Sequence, residues 1–139
     1  MKRLSLILVT CLVILTQARG VIGEEVLVIG HPALARTDKA TLQRLYTGRA
    51  VSIGQQAVAP INLPPGHPVR DDFLQLCLDQ NEEQYTGYWL VRRYVGKGAP
   101  PMELGGGDEV IRYVQTTPGA IGYVPVSKLP RGANVIFRR

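Results

Sequence analysis

The stretch that most constrains this chain is Thr116-Thr117-Pro118-Gly119-Ala120-Ile121-Gly122-Tyr123-Val124. Proline lacks the donor that a helix needs in order to continue, and glycine accepts the left-handed turn that ends one, so Pro118-Gly119 predicts a helix stop. Ala120 to Val124 then read as a short, buried strand in which Gly122 allows close backbone approach. A helix, a tight turn and a buried strand without slack make an α/β junction, and the rest of the chain has to pack around it.

The N-terminus predicts export. Lys2-Arg3 precede an uncharged, mainly apolar run from Leu4 to about Leu15, and Thr16-Gln17-Ala18 place small residues at the −3 and −1 positions of a signal-peptidase site. The run is too short to cross roughly 30 Å of hydrocarbon comfortably, which favours a cleaved signal over an anchor. The signal is assigned to residues 1–20, with cleavage after Ala18 or Gly20 (Gly23 is a further option), and a single domain to 24–139. Cys11 lies within the apolar run, the wrong place for a lipid-modified terminus, so a soluble periplasmic product is expected, touching the membrane only through the uncleaved signal.

Cleavage after Ala18 removes Lys2 and Arg3, leaving 14 basic against 11 acidic residues and a net charge of +3. That excess is small, and no basic stripe interleaved with aromatics appears, so nucleic acid is excluded as a partner. Only Cys77 survives processing, so no intrachain disulfide forms. With Val69, Phe73 and Leu76 it falls on the apolar face of a helix, where a thiol packs as a small hydrophobe.

Along the mature chain, Val26-Leu27-Val28-Ile29 predict a central strand covered on both faces. Thr37-Asp38 predict a helix start with a capping hydroxyl and an acid in its first turn, and Gly48 closes that helix. Residues 51–56 read as a loop and 57–63 as a second strand, with Pro60 placing it at an edge or bulge. Pro64-Pro65-Gly66-His67-Pro68 form a rigid turn into a helix. A third helix, Glu82 to Tyr94, carries Tyr85, Tyr88 and Trp89 on the side expected to face the core. Gly105-Gly106-Gly107-Asp108 open a last helix with Val110, Ile111 and Val114 inward, and Asn134 to Phe137 close the chain as a strand. The order β-α-β-α-α-α-β-β describes an α/β domain with a small mixed sheet flanked by helices.

Catalytic chemistry has little to stand on. The mature chain holds two histidines, His31 and His67, and two serines, Ser52 and Ser127, without a nucleophile elbow or an H-E-x-x-H pattern. Two distant histidines without a cysteine pair give no metal signature, so neither a catalytic residue, a metal nor a cofactor is expected. The adjacent pairs Asp71-Asp72 and Glu82-Glu83 read as solvated surface charge. Anion binding has a physical basis, because a helix start offers unpaired N–H groups and about half a positive charge. Asn62, Gly66, His67 and Arg70 at one helix start, and Gly106 and Gly107 at another, are the candidate ligand-binding residues. Against this, Pro68 removes a donor and Arg70 has acids close by to pair with.

Pro118-Gly119-Ala120-Ile121-Gly122-Tyr123 resembles the PGAIGY segment of the periplasmic phosphate-binding proteins, in the type-2 solute-binding class. The helix at Thr37–Gly48 is similar to a stretch of the same family, in the same order along the chain. The resemblance covers about residues 25–125 and implies one lobe of a two-lobed fold. It also implies a role like that of a phosphate ABC transporter substrate-binding protein, taking a small anion such as phosphate. The family's R-x-D-G-S-G-T run falls at Leu63 to Val69, where this chain has Leu-Pro-Pro-Gly-His-Pro-Val and keeps only Gly66. The resemblance therefore leaves two expectations: weak oxyanion binding, with a homodimer or envelope protein supplying the missing wall, or a periplasmic interaction or sensory-accessory module that has lost its ligand.

Overall fold

The computed structural model describes residues 24–139; the signal segment, its cleavage site and Cys11 lie outside the described residues. The chain runs β1 (Val26–Gly30), α1 (Lys39–Tyr46), β2 (Ser52–Ile53), β3 (Gln56–Ala57), β4 (Ala59–Asn62), α2 (Pro68–Leu78), α3 (Glu82–Tyr94), β5 (Met102–Glu103), α4 (Gly107–Thr116), β6 (Ala120–Pro125) and β7 (Asn134–Arg138). The main sheet has the order β5-β4-β6-β1-β7. β4 pairs in parallel with β5 and β6, whereas β1 is antiparallel to both β6 and β7. Among the described residues this makes a mixed five-stranded sheet flanked by four helices.

β6 lies at the centre of that sheet, and every residue of β6 and of β1 is buried. Two glycines set how the chain enters β6 and what lies on it. Gly119 has φ +79, and a Cβ there would fall 2.5 Å from the Ala57 carbonyl oxygen, so the left-handed turn and the neighbouring strand both demand glycine. A Cβ at Gly122 would fall 2.5 Å from Val110 Cγ1 and 3.4 Å from Val114 Cγ2, which shows how closely α4 rests on the sheet. On the other face Phe73 stacks on Tyr123 with ring centroids 3.9 Å apart, and Tyr46 meets Phe73 edge-on at 4.7 Å.

Several local expectations are corrected. Asp38, not Thr37, caps α1: its Oδ1 accepts from the Thr41 N–H at 2.7 Å. The Thr37 N–H is meanwhile spent on the Ile136 carbonyl at 2.8 Å, tying the segment to β7. The stretch read as a loop holds the β2–β3 hairpin, turned at Gly54 with φ +58. The second strand starts at Ala59 and lies between β5 and β6; Pro60 is tolerated because β5 pairs only with Ile61 and Asn62. The brief β5 and a 3₁₀ turn at Val126–Lys128 have no periodicity to announce them.

The N–H groups of residues 47–50 take the Gln43, Arg44 and Leu45 carbonyls at the end of α1, and α3 supplies donors for the three carbonyls that follow. The Tyr46 carbonyl accepts from the Tyr85 hydroxyl at 3.0 Å and from Trp89 Nε1 at 3.2 Å. Thr47 O accepts from the Tyr88 hydroxyl at 2.7 Å and Gly48 O from Arg92 Nη2 at 2.9 Å. The aromatic side of α3 is therefore core and cap, and its direction across the domain is set by these bonds.

Two outcomes follow from this packing. Gly122→Ala should cost about 1–3 kcal/mol, because Val110 has to move or α4 has to lift; the urea midpoint measures it. Burial pushes the Cys77 thiol up to about 11, above the ordinary value of about 8.5. Its contribution to stability is therefore complete below about pH 8.5 and declines as pH rises toward the folded value. Cys77→Val should flatten that alkaline decline in the denaturant midpoint.

Candidate functional site

Because β4 and β5 run in parallel, α2 and α4, which follow them, both begin at the carboxyl edge of these strands, the position where open α/β sheets hold ligands. A cleft of about 160 Å³ opens beside this edge. Its floor is Asn62, Arg70, Tyr85 and Trp89; Pro65, Pro100 and Pro101 form one lip; Thr86, Leu90, Arg93 and Glu103 complete the rim.

Asn62 is held at the end of β4 by a buried network. The Tyr123 hydroxyl donates to Asn62 Oδ1, which also accepts from the Leu63 N–H at 3.0 Å, while Asn62 Nδ2 reaches the Tyr85 hydroxyl at 3.4 Å. Desolvation drives the Tyr85 phenol up to about 12 and Tyr123 higher still, so both remain neutral hydroxyls.

Arg70 is the charged centre of the cleft and is only 3% exposed. Its Nε and Nη2 donate to both oxygens of Glu82 at 2.8 and 2.7 Å, a bidentate pair. Nη1 donates to the Leu63 carbonyl at 2.8 Å and to Glu103 at 3.4 Å, and the guanidinium carbon lies 5.4 Å from the centroid of the Tyr85 ring. Burial works against the charge, but Glu82 outweighs it and the Arg70 pKa is raised. The reading of Glu82 as solvated surface charge is corrected: the turn between α2 and α3 brings it back onto Arg70. The inner stripe of α2 is corrected as well. It comprises Arg70, Phe73, Leu74, Cys77 and Leu78, with Val69 and Leu76 half-buried.

The start of α2 is largely occupied by its own residues. Pro68 has no N–H, the Val69 N–H is taken by His67 Nδ1 at 3.2 Å, and the Asp71 N–H bonds the His67 carbonyl at 3.1 Å. Gly66 adopts φ +87 beside this turn. Of the candidate residues, Asn62 and Arg70 meet in the cleft, while Gly66 and His67 stand on the loop next to it. Gly106 caps α4 in extended backbone without a side-chain bond, and Gly107 packs against the Lys128 side chain; neither lines the cleft. Sequence reasoning missed Glu82, Glu103, Leu90, Arg93 and the proline lip, and only the repeated Pro-Pro pairs at 64–65 and 100–101 gave any signal. Among the described residues no group of three or more His, Cys, Asp or Glu stands together to hold a metal, and no helix is long and apolar enough to cross a membrane.

No family model and no curated protein matches the sequence. Solved structures do resemble it. An ABC-type phosphate transport receptor from Vibrio cholerae superposes with a TM-score of 0.63 at 14% identity, over 81% of this chain and 45% of that one. A putative phosphate ABC transporter substrate-binding protein from Clostridium perfringens, solved with bound phosphate, gives 0.62 at 16% identity, over 81% and 44%. The fold is that of a single lobe of a type-2 periplasmic binding protein, and the chain spans less than half the length of either structure.

Removing Glu82 leaves Arg70 buried with only Glu103 and a carbonyl. Glu82→Ala should destabilise the fold by about 2 kcal/mol, less than the ~3–5 kcal/mol of a fully buried pair, because the Glu82 side chain is 30% exposed. Thermal or urea unfolding reads the loss.

Proposed function

We propose that this chain is an exported lobe of the solute-binding kind that recognises an envelope protein rather than capturing a free oxyanion. The observation that carries this reading is the Arg70–Glu82 clamp. An oxyanion entering the cleft must displace a covalently tethered carboxylate that already makes the bidentate contact, and Glu103 adds a second negative charge at the rim. At the neighbouring helix start, Pro68 and the His67 ring remove two of the donors an anion would use. The cleft measures about 160 Å³. It suits one side chain of a partner, seated against Trp89 and the prolines.

The domain at 24–139, the signal at 1–20 and a periplasmic location belong to this proposal and rest on the N-terminal pattern. The structural neighbours are transport proteins, in keeping with a chain that is not an enzyme. Weak oxyanion binding is the second reading, favoured by the phosphate bound in the Clostridium perfringens structure. It would use Asn62, Gly66, His67 and Arg70, with Gly106 and Gly107 at the adjacent helix start.

Calorimetry with phosphate and sulfate separates the two. The expected result is heat of dilution alone for the native chain. The doubly neutralised variant Glu82→Gln with Glu103→Gln, which releases Arg70, should gain measurable phosphate binding. Saturable micromolar binding by the native chain, abolished in Arg70→Ala, would establish the oxyanion reading and overturn the first.

A further inference from the structure

The outward side of α3 carries a pattern that the fold itself does not use. Glu83, Gly87, Leu90 and Tyr94 follow one another at spacings of four, three and four, which places them in one stripe, the seam of a packed helix pair. Tyr85 and Trp89 occupy the opposite, buried side. Leu90 is 69% exposed, Val91 65% and Tyr94 92%, a concentration of apolar surface on one helix face. Gly87 is the second anomaly. Glycine in mid-helix is destabilising, yet a Cβ there would meet nothing within 4 Å, and φ is not in the left-handed region. Nothing among the described residues asks for a glycine at that point, whereas a second helix lying across it would.

Charge identifies the occupant. The face is acidic at its start and basic at its end. Glu83 on one side, and Arg93 and Lys97 on the other, enter no ion pair among the described residues. A surface with that polarity is complementary to itself when reversed. We propose that two copies of this chain pack α3 against α3, antiparallel, in an isologous dimer. Leu90 of each copy fills the hollow over Gly87 of the other, and the Tyr94 hydroxyl faces Glu83 of the second copy. The basic end of each helix then lies beside the acidic start of its mate, and the two helix dipoles are opposed. Because Thr86, Leu90 and Arg93 also form the rim of the cleft, the second copy adds a wall that a single lobe lacks. This inference is independent of whether the cleft takes a protein or an anion.

The test is sedimentation equilibrium of the purified chain, expressed with its own N-terminal region, across a concentration series. A reversible monomer–dimer equilibrium is expected. Leu90→Glu and Gly87→Leu should each raise the dissociation constant by about tenfold or more, as for a central contact. A Cβ at Gly87 meets nothing within 4 Å and Leu90 is 69% exposed, so the monomer's circular dichroism spectrum should be retained and its unfolding midpoint kept or, for Gly87→Leu, slightly raised. Glu83→Arg should weaken the dimer, and combining it with Arg93→Glu should restore it, which only the antiparallel arrangement allows. A chain that stays monomeric at every concentration would overturn the proposal. So would a dimer indifferent to Leu90→Glu and Gly87→Leu, since it would be formed by another surface.

Discussion

Burying the Arg70 guanidinium beneath the Tyr85 ring obliges the fold to place an anion beside it, since a lone cation in that position loses its hydration without return. Glu82 meets the demand with two short bonds, and much of the local architecture follows. The turn joining α2 to α3 has to return the first residue of α3 to the first turn of α2. Asn81 stabilises that entry through a capping box, its Oδ1 accepting from the Gln84 N–H at 2.8 Å while Gln84 reaches back to the Asn81 N–H at 2.9 Å. A cleft whose central cation is neutralised from within is a different chemical object from one that waits for a ligand to do it.

α3 is fixed at both ends of its buried side. Its start is held by Arg70 and its remainder by the carbonyls of Tyr46, Thr47 and Gly48, so the helix serves as the C-cap of α1 as well as the wall of the cleft. Gly48 takes part in the same junction: with φ +71, a Cβ there would approach the Trp89 ring to 2.7 Å. A helix anchored so firmly on one face presents the other as a rigid surface. That is why exposed Leu90, Val91 and Tyr94 on α3 mean more than the same residues would on a loose segment.

Much of the fold was legible because it rests on local rules. The continuous apolar run at Val26–Ile29, the stop at Pro118-Gly119 and the close approach at Gly122 are each readable from residue type, and each is found in place. The 3.6-residue period of α4 placed Val110 and Val114 against the sheet. β5 was invisible, because a two-residue strand has no period and exists only where the end of β4 leaves bonds to be paired. Of the cleft, Asn62 and Arg70 were found through the logic of helix starts, but the partners that define them were not.

The sequence by itself determined the α/β class, the order of the long elements and the junction around which the sheet is built. These depend on side-chain period, proline's missing donor and glycine's access to the left-handed region, all properties of neighbouring residues. Only the tertiary structure decided that Arg70 is clamped by Glu82 and Glu103, which lie 12 and 33 positions further along the chain. It alone decided, too, that the other described residues leave one face of α3 uncovered. Ion pairing and exposure follow distances in space, and no local pattern encodes which charges a turn and a short parallel strand will bring together.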